Sequence, residues 1–241
     1  MKKLTLAAAI AGSMMAAPIA SADIIGANAD VGFWFSDIGG DFTKDSSSAD
    51  LSDDFGLDSG LSNFANVHLE HPVPIIPNVR IGYLSVSDSG DGSLGSTFDG
   101  VPNGSVQSEL TIDQFDATAY YEILDNIVSV DLGLTLRLMD VQLDVYGGGE
   151  NTKNELTGVL PMVYAAANGS IPFTGVSAGA EVNGVGYSGD SYMDASAYVQ
   201  YDVSVMELRG GYRHMAINFE DGDSKIDINF DGPYVSVGVD F

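Results

Sequence analysis

The chain has 241 residues, 45% of them apolar, with 34 acids against 9 bases, 29 glycines and no cysteine. That length supports a packed core, and the apolar and aromatic content excludes a disordered acidic tail. A formal charge of −25 excludes nucleic acid as a partner, the lack of cysteine excludes disulfide frameworks, thiol nucleophiles and zinc–thiolate sites, and no uninterrupted apolar run is long enough for a membrane helix.

Residues 1–22 read as a secretory signal peptide. Lys2 and Lys3 supply the positive start, Leu4 to Ala17 the short apolar stretch, and Ala20-Ser21-Ala22 the small-x-small cleavage site. Cleavage after Ala22 leaves a mature chain starting at Asp23 with a net charge of −27.

From Asp23 onward the period is two. In the first segment Ile25, Ala27, Ala29, Val31, Phe33 and Phe35 share one face, and Gly26, Asn28, Asp30, Gly32, Trp34 and Ser36 the other. The pattern returns at 127–140, where Val128, Val130, Leu132, Leu134, Leu136 and Leu138 alternate with Ser129, Asp131, Gly133, Thr135 and Arg137. Ten such segments follow one another, at about 24–36, 62–71, 78–88, 106–123, 127–142, 154–169, 175–187, 191–201, 203–219 and 225–241. Odd-numbered segments are followed by polar connections, 37–61, 89–105 and 143–153 being the longest, and even-numbered ones by tight turns. Long loops at one end and short turns at the other, with an even strand count, predict a single antiparallel transmembrane β-barrel over residues 23–241, with eight strands as the alternative to ten. A soluble sandwich also alternates, but its polar face is wetted, whereas here Asp, Glu and Arg occupy the polar face of many strands and aromatics fall near the strand ends. Pro161 and Pro233 fall inside proposed strands, where bulges are expected, and the register of segments 6 and 7 is the least fixed because both faces are small and apolar.

The stretch Leu69-Glu70-His71-Pro72-Val73-Pro74-Ile75-Ile76-Pro77-Asn78 resembles the hallmark turn of an uncharacterised group of gammaproteobacterial outer-membrane β-barrel proteins, and Asp23-Ile24-Ile25-Gly26 resembles its opening. The resemblance runs from the signal peptide to Phe241 and implies an outer-membrane barrel, with no activity or site to carry over. The C-terminus is similar to the recognition signal of outer-membrane barrels generally. Val235, Val237 and Val239 precede a terminal Phe241 at alternate positions, which implies insertion by the barrel-assembly machinery.

The mature chain has four arginines, Arg80, Arg137, Arg209 and Arg213, all on the polar parity together with Glu70, Asp116, Glu122, Asp131 and Glu207. An arginine facing lipid near mid-bilayer costs about 2–4 kcal/mol, so these groups are expected inside, as an ion-pair network filling the lumen or, alternatively, as a selectivity filter. Glu70 and Arg80 lie five residues either side of Ile75 and are expected to pair. A barrel this narrow predicts no porin-like conductance, only rare, small, cation-preferring openings. Outer-membrane lipid and lipopolysaccharide are the expected surroundings, with no cofactor or metal site assigned.

Two other readings are carried. Loop 37–61 holds seven aspartates against Lys44, a candidate adhesion surface or divalent-cation bridge to lipopolysaccharide phosphate, although it lacks the terminal Glu of a calcium loop and solvation explains the charge as well. Within it, residues 49–57 have helical spacing, with Leu51 and Phe55 four apart, and are expected to form one or two turns over the mouth. A lipid A or peptide hydrolase would need a histidine base, for which His214 is the candidate nearest the outer rim. A His-Glu-x-x-His motif is absent.

Overall fold

A computed structural model describes residues 26–44, 47–222 and 224–241. The signal-peptide and cleavage-site expectations, and residues 23–25, lie outside the described residues. Eleven strands follow in order: β1 (Gly26–Lys44), β2 (Ser47–Asp50), β3 (Ser59–Glu70), β4 (Asn78–Leu94), β5 (Gly104–Leu124), β6 (Val128–Gly147), β7 (Glu150–Ile171), β8 (Val176–Tyr187), β9 (Asp190–Val203), β10 (Met206–Asp221) and β11 (Ser224–Asp240). Each pairs antiparallel with its sequence neighbour, except that β3 joins β1 rather than β2, and β11 closes on β1. The short β2 pairs only with the tip of β1, Asp41–Lys44, above the place where β3 leaves it, so the barrel wall has ten staves. Closure leaves no free sheet edge along the lower wall, which is what a strand protein needs in an apolar medium.

The wall divides into two tiers, and β6 shows both. Its even positions face outward throughout and its odd positions inward. Through the lower half the outward side chains are apolar and well exposed, Leu132, Leu134, Leu136 and Leu138 among them, while Thr135 and Arg137 are buried inside. Above Leu138 the polarity inverts on an unbroken strand: Asp140, Gln142 and Asp144 turn outward, and Met139, Val141, Leu143 and Val145 are buried inside. On β5 the exposed Phe115 lies below, and the buried Leu110 and Ile112 above. On β11 Val235 and Val237 face outward below, and Ile226, Ile228 and Phe230 face inward above. The exposed belt of the lower tier suits hydrocarbon; the upper tier is built like a soluble β-sandwich core, dry inside and polar outside.

The three long polar loops expected at 37–61, 89–105 and 143–153 are therefore mostly wall. Strands β1, β4, β5, β6 and β7 continue into them, and the β6–β7 connection shrinks to Gly148–Gly149. They read as loops because their outward residues are polar and their inward ones apolar, the reverse of the lower tier. Residues 51–57 leave β2 and cross the gap between β1 and β4 in the upper tier. A turn at 51–55 places Leu51, Phe55 and Leu57 inside at 0% exposure, with Phe55 edge-on to Phe98 at 5.1 Å between ring centres. The crossing segment seals the side where β3 and β4 part above Asn63↔Ser85. Its backbone presses onto β4 so closely that a Cβ at Gly90 would lie 1.9 Å from the Gly56 carbonyl, and one at Gly92 2.1 Å from that of Asp54. Only glycine fits at those two β4 positions.

The expected proline bulges are absent. The β6–β7 register runs evenly through Leu136↔Pro161, just above the point where β7 loses β8 as a neighbour, at Val163↔Gly184. At Pro233 the β1–β11 ladder skips two positions without a register shift, and the Trp34 indole N–H donates to the Gly232 carbonyl at 3.2 Å instead. The irregularity among these ladders falls at Glu122/Leu124.

Candidate functional site

The lower lumen is lined by the inward positions of all ten staves, and the four arginines meet there. Arg137, from the middle of β6, is almost wholly buried. Its Nε and Nη2 donate to the two carboxylate oxygens of Asp116 on β5 at 2.7 and 2.5 Å, and Nη2 also reaches Asp194 Oδ2 on β9 at 2.9 Å. Its Nη1 donates to the Tyr192 hydroxyl, and the guanidinium lies 4.8 Å from that ring's centre. Asp194 is in turn held by Arg213 of β10, through Nε at 2.8 Å and Nη2 at 2.7 Å, and Arg213 lies 5.0 Å from the centre of the Trp34 ring. The result is a chain Asp116–Arg137–Asp194–Arg213 that spans the bore from β5 to β10. Bidentate guanidinium–carboxylate geometry gives each link both strength and a fixed direction.

Closer to the turn end, Arg80 on β4 donates to Glu181 on β8 at 2.7 Å and to Asn66 Oδ1 at 3.1 Å, and Asn66 donates to Asp30 at 3.1 Å. Arg209 binds the Gln200 carbonyl oxygen through Nε at 3.1 Å and Nη2 at 2.7 Å and lies 4.2 Å from the centre of the Tyr198 ring. Removing one partner from such a buried pair leaves an uncompensated charge, at about 3–5 kcal/mol, so the network is rigid as well as closed. The space left among these side chains is about 40 Å³, lined by Asn66, Arg80, Asp116, Arg137, Glu181 and Arg213 among others. That is room for one or a few waters.

Of the residues predicted for the lumen, Glu70, Arg80, Asp116, Asp131, Arg137, Glu207, Arg209 and Arg213 occupy inward positions, while Glu122, on the same parity, is exposed at the turn end of β5. The partners differ from expectation. Glu70 and Arg80 do not oppose each other, because β3 and β4 register about residue 74 rather than 75, so His68 faces Arg80. Glu70 accepts from the Tyr120 hydroxyl at 2.9 Å, and Arg80 crosses the lumen to Glu181. The connection itself is held by His71, whose N–H donates to Asn78 Oδ1 at 3.1 Å. Sequence reasoning missed Glu181 and Asp194, the two acids on which the network turns. Both sit on the inward parity of β8 and β9, between Gly179 and Asn183 and between Tyr192 and Ser196, and following parity through those Ala-rich strands would have found them.

His214 faces outward, its Nδ1 2.6 Å from Asp231 Oδ1 on the neighbouring strand, so it shares no cavity with the lumen acids. Among the described residues no group of three or more His, Asp or Glu side chains converges as metal ligands would. At the C-terminus Val235 and Val237 face outward, Phe241 is exposed, and the Phe241 N–H donates to the Ala27 carbonyl at 2.8 Å, which ties the last residue to β1.

No family profile and no curated protein matches this sequence. Solved structures do match. The outer membrane protease OmpT of Escherichia coli aligns over 93% of this chain and 99% of its own, with a TM-score of 0.60 at 8% identity. The fold is that of an outer-membrane β-barrel. Ail, the attachment invasion locus protein of Yersinia pestis, aligns over 91% of this chain and all of its own at 9% identity and a TM-score of 0.44. Neisserial surface protein A aligns over 92% and 100% at 13% identity and a TM-score of 0.37.

Proposed function

We propose that this chain is a small protein of the bacterial outer membrane whose barrel is a sealed anchor carrying an extracellular tier, and not a pore. The observation that carries this reading is the Asp116–Arg137–Asp194–Arg213 chain across the bore, with a cavity of about 40 Å³ beside it. Above it the apolar core of the upper tier, with Leu51, Phe55 and Leu57 inside, forms a second barrier to ions. The apolar belt on β6, β9 and β11 supports residence in a bilayer, and the leader at 1–22 together with the likeness of residues 69–78 to outer-membrane proteins supports which bilayer that is. In this reading the tight-turn end is periplasmic, the outward belt meets lipid and lipopolysaccharide, and Val235, Val237, Val239 and Phe241 serve the assembly machinery. A free adhesive arm at 37–61 fits poorly, since its apolar side chains are the ones packed inside.

Purified protein in a planar bilayer tests the seal. The expected record is closed, with rare, small, cation-preferring openings whose preference fades at high salt, because the acidic surface concentrates cations only within a Debye length. Large, stable steps, above all anion-selective ones, would show an open path past the arginines and overturn the proposal.

A further inference from the structure

Each stave of the lower wall has a neighbour on both sides, but in the upper wall β7 does not. Its register with β6 is unbroken from Val128↔Gly169 to Gly147↔Glu150, whereas its ladder with β8 stops at Val163↔Gly184. The backbone gives the reason. The Ser170 N–H donates to the Ile127 carbonyl, so the even-numbered residues of β7 bond toward β6 and the odd-numbered ones toward β8. Pro161 is odd, and it has no N–H to offer where Gly186 of β8 would come next. Beyond that point β8 runs only to Tyr187 and turns back into β9 at Ser188–Gly189. The N–H and C=O groups of Lys153, Glu155, Thr157 and Val159 therefore face a side of β7 on which, among the described residues, no strand pairs.

A cavity of about 290 Å³ opens at the same edge. Asn154 and Leu156, which point inward, and Glu155, which points outward, all line it, and one cavity touches both faces of a strand only by reaching round its unpaired edge. Deeper in, it meets Leu143, Ile226 and Ile228. Lower on the inward row of β7, a Cβ at Gly158 would meet no atom within 4 Å, so the inner side of the edge is vacant there too. The outer side is acidic. Asp140 and Asp144 of β6 and Glu155 of β7 stand there against Lys153, which is opposite Asp144 and paired with Glu155 at 2.6 Å. The edge thus offers backbone donors and acceptors along its length, an apolar hollow behind it and net negative charge in front.

We propose that this edge takes up an extended peptide of another molecule as an added strand, one whose alternate residues are apolar and whose intervening residues are basic. The added strand bonds to the backbone of Lys153, Glu155, Thr157 and Val159; main-chain bonds of this kind supply affinity, and pockets for alternate side chains supply selectivity. Its inward residues fill the hollow: an apolar cavity of about 150 Å³ holds benzene, so one of about 290 Å³ takes about two aliphatic side chains. Its outward residues lie beside Glu155 and, at two strand spacings, about 10 Å from Asp140 and Asp144, within a Debye length of those carboxylates. A second copy of this chain does not fit. Two identical edges pair antiparallel about a two-fold axis perpendicular to the sheet, and in an upright barrel that axis lies in the membrane plane, so the second copy would stand upside down. The proposal rests on the upper tier standing clear of the bilayer, as in the reading above, and not on whether the bore conducts.

Full-length protein in phosphatidylcholine nanodiscs, titrated with a fluorescent eight-residue peptide alternating valine and lysine, provides the test, with hydrogen exchange read at single residues. Saturable binding is expected, with at least tenfold slower exchange at the Glu155, Thr157 and Val159 N–H groups and no change at Asn154 and Leu156, which bond toward β6. Thr157→Pro removes one edge donor without touching a bond to β6, as Pro161 already does, and should weaken binding at least tenfold. Gly158→Phe, which fills the inner side of the edge where no atom stands in its way, should do the same. No saturable binding to the unmutated protein overturns the proposal, whether or not either variant folds. So does equal binding by a peptide N-methylated along its backbone, or by one with its valines grouped before its lysines. A peptide with glutamate in place of lysine that binds as tightly overturns the basic partner. Slow exchange at the same three N–H groups before any peptide is added would show the edge already covered and overturn the site itself.

Discussion

The two tiers of one barrel solve opposite packing problems with the same backbone. In the lower tier the surroundings are apolar, so polar groups are driven inward and must satisfy one another: Arg137 between Asp116 and Asp194, Arg80 against Glu181 and Asn66. In the upper tier the surroundings are water, so the interior is hydrocarbon and the carboxylates stand outside, as Val141 and Leu143 against Asp140 and Asp144 show on a single strand. A strand's alternation fixes only that neighbours point to opposite sides. Which side is polar depends on the medium outside. The lower tier is thereby specified by directional pairs and the upper one by fit and area, so each should fail in its own way.

The largest effect is expected in the lower tier. Asp194→Ala strips Arg213 of its bidentate partner and Arg137 of one of its two acids, leaving buried charge uncompensated. A loss of about 5 kcal/mol is expected, the upper end for a broken buried pair, and it should appear as a lower temperature for the heat-induced gel-mobility shift of the whole barrel. An unchanged transition would mean that water screens the bore.

Phe55→Ala in the upper tier should cost less and fail locally. Removing a fully buried ring costs about 3 kcal/mol where the surroundings relax in part. The crossing segment should become open to protease at 51–58 while heat-modifiable mobility persists. Loss of the barrel itself would show that the two tiers are not separable.

Asp50 gives the smallest effects. Its Oδ1 accepts from the Ser52 N–H, the Ser52 hydroxyl and the Asp53 N–H, all at 2.8 Å, and so caps the turn that begins the crossing segment. Asp50→Ala should weaken docking of that segment by about 1 kcal/mol, a normal cap loss, measurable by hydrogen exchange at the Leu57 N–H, which donates to the Leu51 carbonyl. Burial pushes the Asp50 carboxyl up, but the Asp53 and Ser52 hydrogen bonds outweigh it and hold it below the ordinary value. A carboxyl whose folded pKa is depressed contributes fully above its unfolded value, about 3.9, and loses that contribution as pH falls through the folded one. Exchange at Leu57 should therefore be steady from neutral pH down to about pH 4 and show extra opening below it, beyond the intrinsic pH dependence. Asp50→Ala should abolish that extra opening.

The sequence by itself determined where the lower-tier strands run and the side each of their residues takes, with the count left at ten or eight, because period-two alternation is a property of the extended backbone and survives any environment. It also placed the arginines inside, since a guanidinium in lipid is too costly to be left there. Tertiary structure alone decided the rest. Arg137 and Asp194 are 57 residues apart and Arg80 and Glu181 101 apart, and only closure of β11 onto β1 sets them face to face across a bore. The centre of the β3–β4 connection, one residue from its expected place, sent Arg80 to Glu181 instead of Glu70, because a register is fixed by the whole ladder and not by the turn. The height at which lipid gives way to water is likewise a property of the assembled wall. That height decided that residues read as polar loops are strands and that Leu51 and Phe55 belong to a core.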